Sequence, residues 1–389
     1  MRLLLLVFLT TTLSFGYAAH SFPAKDSGRI AVLLQKDASE ALLEVKGPYT
    51  IFNPKDGSKI TSGLLGKRFL VHSAANGLKW GEEFLGIYQI YLLPKSEKDS
   101  VLVNGIQYEG AIAIFLIDGK INIVNDLGIE KYVKSTLTSQ FTYPLENEVM
   151  SAIAILARTD AYFHVEKNKS SIWHVDAKEN GYFGSALKTP DSFIEKVVDS
   201  TKDLILAHSN HGRNLPFPAT WTEHSAGKTA SFSAIFRKDH PFMDHGVEAS
   251  HAKLDKTDSR WQFSLSKKEL ANLFSLPEIR AVELFVDKES KRAYAVRITG
   301  PDYHEDLSFF DFQKKLGKER LKSNDFAISV KDQRVLFSGF GKGHGVGLCI
   351  YSASAMAQNG ENALKILSKF YPETFLLNLS AIPGSRSVK

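Results

Sequence analysis

The sequence holds one cysteine, Cys349, among 389 residues. A single thiol closes no internal disulfide and excludes a cysteine-rich zinc site, so packing alone has to hold the chain together. Long apolar runs are missing too. Leu3–Leu9 counts seven residues and no later stretch is longer by enough to matter, whereas a membrane span needs about 20. No cysteine follows that run, so a bacterial lipoprotein anchor has no residue to attach to. No stretch has the Lys/Arg density of a nucleic-acid-binding arm. Internal repeats and low-complexity tracts are also absent.

What is present begins with a short leader. Arg2 precedes the apolar run, Thr10–Thr12 ends it, and Gly16 and Ala18 are small residues at the spacing a signal peptidase accepts. Residues 1–19 therefore read as a secretory signal, with a retained N-terminal anchor as the alternative. Export to the periplasm or cell envelope follows as an expectation. About 370 residues remain, enough for one large or two modest domains. A hydrophobic content of 43% and a charged content of 23% fit an ordinary folded protein. The net charge of +5, one less without Arg2, suits an anionic polymer or surface. Export argues against a nucleic-acid partner.

Residues 29–125 read mainly as strands. RIAVLL, LLEVKG, YTIFN, KRFLVHS, YQIYLLP, AIAIFLI and KINIVN are short runs rich in Val, Ile, Tyr and Phe. The last two are joined by Asp118-Gly119, a strong two-residue hairpin signal. The texture changes at Ile129. Over 145–165, Leu145, Val149, Ala152, Ile153, Leu156 and Asp160 recur at three- and four-residue steps, which predicts a helix with one mostly apolar face. Pro144 suits its first turn, and Glu146 and Glu148 suit its positive end. Further helices are predicted near 191–201, 266–274 and 309–316, the second with a Ser266/Glu269 capping box. Ile350–Gln358 and Asn362–Phe370 read as two more, separated by Asn359-Gly360 and closed by Pro372. The fold class is α+β. The expected division is a β-rich region over 20–128, a mixed core over 129–378 and a flexible tail over 379–389.

The most unusual local feature is GFGKGHGVG at 339–347, where glycine occupies every second position. Glycine permits positive φ and close approach of a backbone. The loop is not a phosphate-binding P-loop, because Gly343 stands where Ser or Thr would follow the lysine, and it does not match G-x-G-x-x-G. A tight structural turn with His344 packed inside is the plain alternative.

Three stretches together resemble the SpoIID/LytB family, the stage II sporulation protein D and amidase-enhancer group. GFGKGHGVGLCIYSASAMAQNGENALKILSKFYPET is similar to its C-terminal signature. VNDLGIEKYVKSTLTSQFTYPLENEVMSAIAILARTDAYF is similar to its Asn-Leu-Glu-Tyr segment and its Pro-Leu-Glu helix start. In this sequence those residues are Asn125, Leu127, Glu130, Tyr132, Pro144, Leu145 and Glu146, with Ala157, Arg158 and Thr159 further along the helix. HSAGKT at 224–229 is similar to its Ser-Gly-Gly-x-Thr turn, with Ala226 for one glycine. The matches run in family order across roughly 100–375.

The resemblance implies a role at peptidoglycan glycan strands. Family members with known activity are lytic transglycosylases acting on strands stripped of peptide stems; others enhance a partner N-acetylmuramoyl-L-alanine amidase. The transglycosylase reaction protonates the glycosidic oxygen and closes the C6 hydroxyl of the muramic ring onto C1, leaving a 1,6-anhydro end. No water attacks, so one carboxylic acid can suffice. It must keep its proton near neutral pH, which an apolar setting favours.

The family's acid is a Glu eight residues after a Tyr. Eight residues after Tyr132 this chain has Gln140, in Ser139-Gln140-Phe141. A carboxamide has nearly the shape of the acid but no proton to transfer. General acid catalysis contributes a factor on the order of 100 to 10,000. Candidate substitutes are Glu130, Glu146 and Glu223. Glu146 at a helix start fits a structural role better, Glu130 has a family counterpart, and Glu223 adjoins the Ser225 turn and ranks first.

For substrate binding the candidates are Arg158, Ser225, Lys228, Thr229, Lys342, His344 and Tyr351. Arg158 is suited either to a lactyl carboxylate or to an internal carboxylate. Trp173, Tyr182 and Trp221 offer flat faces for sugars, although aromatics more often serve the core. His240, His245 and His251 lack ligand spacing, so no metal and no cofactor is expected. Three functional readings stand: a transglycosylase with a substitute acid, a glycan-binding protein without catalysis, and an amidase enhancer. The expected partners are glycan strands and a cell-wall amidase.

Overall fold

The structure, a computed structural model, describes residues 28–96, 100–185, 192–238 and 245–381. The leader, His240 and most of the tail lie outside these residues. Among the described residues no helix is long and apolar enough to cross a membrane. The chain is mixed α and β and is rich in strand at its N-terminal end, as expected. It divides into two units. One comprises the chain up to Leu127 together with Asn168–Asp176. The other comprises Gly128–Lys167 and the chain from Ala177 onward.

The first unit holds two sheets. Seven strands lie in the order Val175–Asp176, Arg29–Ala38, Lys120–Gly128, Ala111–Ile117, Gln89–Pro94, Tyr49–Phe52 and Lys59–Gly63. Six others include Glu40–Lys46 and Lys67–Ala74. Period-two patterning decides which side chains face inward. In Glu40–Lys46 the buried residues are Ala41, Leu43 and Val45. The Asp118-Gly119 hairpin forms as expected, both residues having positive φ (49° and 75°) and Ile117 pairing with Lys120. That is the backbone a two-residue turn needs to match strand twist. Asn125, matched in the motif, is fully buried here and donates to the carbonyls of Glu109 and Ala111, both at 2.9 Å.

The second unit is built on two helices, α1 (Ile129–Gln140) and α2 (Asn147–Lys167). Sequence patterning does not predict α1. Its Ser- and Thr-rich face fits a helix because hydroxyls bond back one turn: Thr136 to the Tyr132 carbonyl at 3.0 Å and Thr138 to that of Lys134 at 2.8 Å. α2 starts two residues later than the periodicity suggests. The Glu146 carbonyl accepts its first bond, from the Met150 amide at 3.0 Å. Pro144 therefore stands ahead of the first turn. Val149 to Thr159 are buried without a break, so α2 is a core helix rather than a one-faced one.

The remaining helices match expectation closely. Phe193–Ser200, Lys267–Phe274 and Phe309–Leu316 carry Ser192, Ser266 and Ser308 as N-caps, and the Ser266/Glu269 box is complete. Two three-stranded antiparallel sheets, built from strands within 260–340, enclose an aromatic-rich core with Trp261, Phe309, Phe312, Phe326 and Phe337.

Candidate functional site

The glycine loop and the HSAGKT turn, far apart in sequence, are stitched into one structure. Trp221–Thr222 pairs in parallel with Leu348–Cys349. The His224 amide donates to the Lys342 carbonyl at 2.9 Å, and the Lys342 amide returns a bond to the His224 carbonyl at 3.0 Å. Thr222 Oγ1 donates to the Lys342 carbonyl and accepts from the Gly345 amide, both at 3.1 Å. Glycine is required at position 345 for two reasons. Its φ is +70°, and a Cβ there would lie 2.3 Å from the Arg292 guanidinium carbon. Ala226, which replaces a family glycine, sits at φ +53°.

Arg292 was not foreseen from the sequence. It is 1% exposed and reaches under both motifs. Nη1 donates to Asn324 Oδ1 at 2.7 Å, and Nη2 donates to the carbonyls of Ser225 and Lys228. Asn324 in turn donates to the His344 carbonyl at 3.0 Å. Nothing in the local sequence around Arg292 signals this, because its partners are main-chain carbonyls from distant segments.

His344 is half-buried with a fixed tautomer. Its Nδ1 accepts from the Val346 amide at 3.1 Å, so the neutral ring carries hydrogen on Nε2, which donates to Thr220 Oγ1 at 3.2 Å. Burial, then the nearby charges of Arg292 and Lys318, pull its pKa down to about 4. His224 repeats the pattern. Its Nδ1 accepts from the Ala226 amide at 3.1 Å, and burial lowers its pKa. Its ring lies 4.6 Å from that of Tyr351, whose hydroxyl donates to Asp255.

The other candidates take these places. Ser225 is buried, with its amide on Cys349 Sγ at 3.4 Å. Thr229 holds the chain through its hydroxyl, which accepts from the Val247 amide at 2.8 Å. Lys228 pairs with Glu289 at 2.7 Å. Lys342 pairs with Glu223 at 2.8 Å, and that carboxylate holds its ammonium above the usual lysine pKa. The glycine loop and turn thus gather Glu223, Ser225, Lys342, His344 and Tyr351.

Arg158 is not among them. It is fully buried and grips Glu130 at two points, 2.7 and 2.8 Å, while Nη1 donates to the Leu204 carbonyl at 3.0 Å. Of its two readings, the internal one is what the structure contains. Glu130 is accordingly engaged as an acceptor. Glu146 is as well: burial opposes its charge, but hydrogen bonds from Ser354 and Gln358 outweigh that and hold its pKa below the usual range.

Gln140 is exposed at the last turn of α1. Ser139 Oγ next to it donates to the Gly181 carbonyl at 2.6 Å. Phe141 on its other side lies 6.3 Å, ring to ring, from Trp221, whose strand pairs with Leu348–Cys349 directly after the glycine loop. Position 140 and the loop therefore belong to one neighbourhood. Trp173 packs on the core of the first unit, Tyr182 is buried against Tyr132 at 5.5 Å, and Trp221 is half-buried. Among the described residues no group of three or more metal-ligating side chains comes together.

Residues 117–208 match the SpoIID family, described as stage II sporulation protein. That segment spans α1 and α2 with Gln140 and Arg158. The chain is 34% identical over 180 residues to an uncharacterized protein of Chlamydia pneumoniae, covering 46% of this chain and 65% of that one, a little under two thirds of its length. It is 28% identical over 335 residues to an uncharacterized protein of Brachyspira hyodysenteriae, covering 85% and 87%. It is 25% identical over 276 residues to stage II sporulation protein D of Bacillus subtilis, covering 64% and 75%.

Proposed function

We propose that this chain, a member of the SpoIID family and so a sporulation- or cell-wall-related protein, binds peptidoglycan glycan strands in the cell envelope without cleaving them by general acid catalysis. The observation that carries the reading is the engagement of the carboxylates that might replace an acid at position 140. Position 140 itself offers only a carboxamide. Each of the three glutamates that might replace the acid is already engaged as an acceptor: Glu130 to Arg158, Glu146 to Gln358 and Ser354, and Glu223 to Lys342. A general acid needs the opposite condition, a carboxyl kept neutral by an apolar setting.

The glycine loop remains suited to recognition. Its main chain packs closely on the 220–226 segment and on Arg292, and the neutral imidazoles and hydroxyls beside it are fixed in direction. Sugar binding needs such preset donors and acceptors more than it needs charge. Export supplies access to the strand and is part of the same proposal.

Immobilised full-length protein is the test. Denuded glycan strands should be retained on it and eluted by excess soluble strand. Passage of the strands at the rate of a blank column would remove the reading and leave contact with a partner amidase as the role to examine.

A further inference from the structure

The sequence points to Trp173, Tyr182 and Trp221 as sugar-stacking rings, and the structure withholds all three. Trp173 packs on the core of the other unit, Tyr182 is 3% exposed, and Trp221 is half-buried beside Phe141. Two other aromatic rings are exposed in the neighbourhood of Gln140. Phe183 is 49% exposed and Tyr143 is 56% exposed.

Their placement is built. Ser135 and Ser139 stand one turn apart on α1. They donate to the carbonyls of Gly184 and Gly181, which lays the 181–184 loop along the C-terminal half of the helix. Within that loop Tyr182 points in and packs on Tyr132, so its neighbour Phe183 is turned outward. The loop passes close to position 140: a Cβ at Gly181 would lie 3.7 Å from the Gln140 amide nitrogen. Tyr143 lies three residues beyond Gln140, in the segment leaving α1.

Phe183 is thus an exposed ring on an anchored loop that passes position 140. The face of an aromatic ring carries negative charge density and its body is apolar. The C–H-rich face of a pyranose is apolar and weakly positive, and so complements it. Gln140, beside the loop that carries Phe183 and three residues before Tyr143, presents one acceptor and two donors, the complement of an acetamido group.

We propose that Phe183 and Tyr143 form the stacking platform of the site, taking the ring faces of an N-acetylated hexose strand while the Gln140 carboxamide reads an acetamido group. This rests on the glycan-binding reading above and adds the residues that perform it. The platform needs no charge on the sugar, so N-acetylglucosamine oligomers bind as well as denuded glycan does.

Titration of the full-length protein with chitin oligosaccharides and with denuded strands, followed by calorimetry, tests it. Phe183→Ala and Tyr143→Ala should each weaken binding of both ligands about tenfold, which is ~1.4 kcal/mol. Phe183→Trp and Tyr143→Phe should stay within about twofold of the parent. Thermal melts check that all four variants fold. Wild-type protein that binds strands while both alanine variants bind equally well overturns the platform and leaves the function standing. Wild-type protein that binds neither ligand overturns both.

Discussion

Glu223 and Lys342 face each other across the two stitched motifs, their carboxylate oxygen and ammonium 2.8 Å apart, with about half of each side chain open to solvent. The glutamate that ranks first as a substitute acid is thus engaged in an ion pair. An exposed pair of this kind contributes little to stability. Glu223→Gln should change neither the melting temperature by more than about 2 °C nor any residual glycan-processing rate. A loss of rate on the order of 100-fold would make Glu223 the acid.

The bond between Arg158 and Glu130 is different in kind. Arg158 is fully buried, and its guanidinium also serves the carbonyls of Leu204 and Val198. Removing it strands a partly buried carboxylate and two carbonyls. Arg158→Met should cost roughly 3–5 kcal/mol by urea denaturation, with glycan affinity unchanged in the fraction that stays folded. A selective loss of affinity at full stability would return Arg158 to the binding site.

Asp160 on α2 gives a pH signature. Burial pushes its pKa up to about 7, from 3.8. The unfolded chain releases this proton near pH 4 and the folded protein holds it to about pH 7. The folded state therefore loses relative stability as pH rises between those values and carries the whole penalty above them. Asp160→Asn should be neutral at pH 4 and should raise the melting temperature at pH 8. The rise should grow across the interval between. Equal melting temperatures at pH 8 would contradict it.

His344 runs the other way. Its pKa near 4 keeps the ring neutral where an ordinary histidine is protonated. Histidine NMR should show it untitrated at pH 5.5. Because Arg292 and Lys318 contribute to the depression, Lys318→Ala should move its midpoint upward. A ring that titrates near 6.5 in the parent protein would remove the buried, neutral donor from the site.

Much of this was legible before any coordinates. The capping serines, the Asp118-Gly119 turn and the glycine-rich loop are local signals, and each forms where its residues place it. The exposed position of Gln140 was not legible, because α1 hides behind serines and threonines that bond back to their own helix. Arg158 read ambiguously because the carboxylate that claims it is 28 residues away. Arg292 was silent, since its partners are main-chain carbonyls and one asparagine supplied by other segments. The exposed rings were missed for a related reason. Sequence distinguishes an aromatic from a polar residue, but in Tyr182-Phe183 only the loop's anchoring decides which ring turns outward.

Gln140→Glu puts a carboxyl where the resemblance to the SpoIID/LytB family implies an acid. The substitution keeps the side-chain shape at an exposed position. It should create or raise cleavage of denuded strands. No change would mean that position 140 is not the place of the acid.

The most direct measurement is the digest of denuded glycan strands by the unaltered protein, with products resolved by mass spectrometry. Retention of the strands with no 1,6-anhydro ends above a protein-free control is the predicted result. Accumulation of 1,6-anhydro ends in proportion to protein and time would contradict it, and would mean that another residue acts as the acid in place of Gln140.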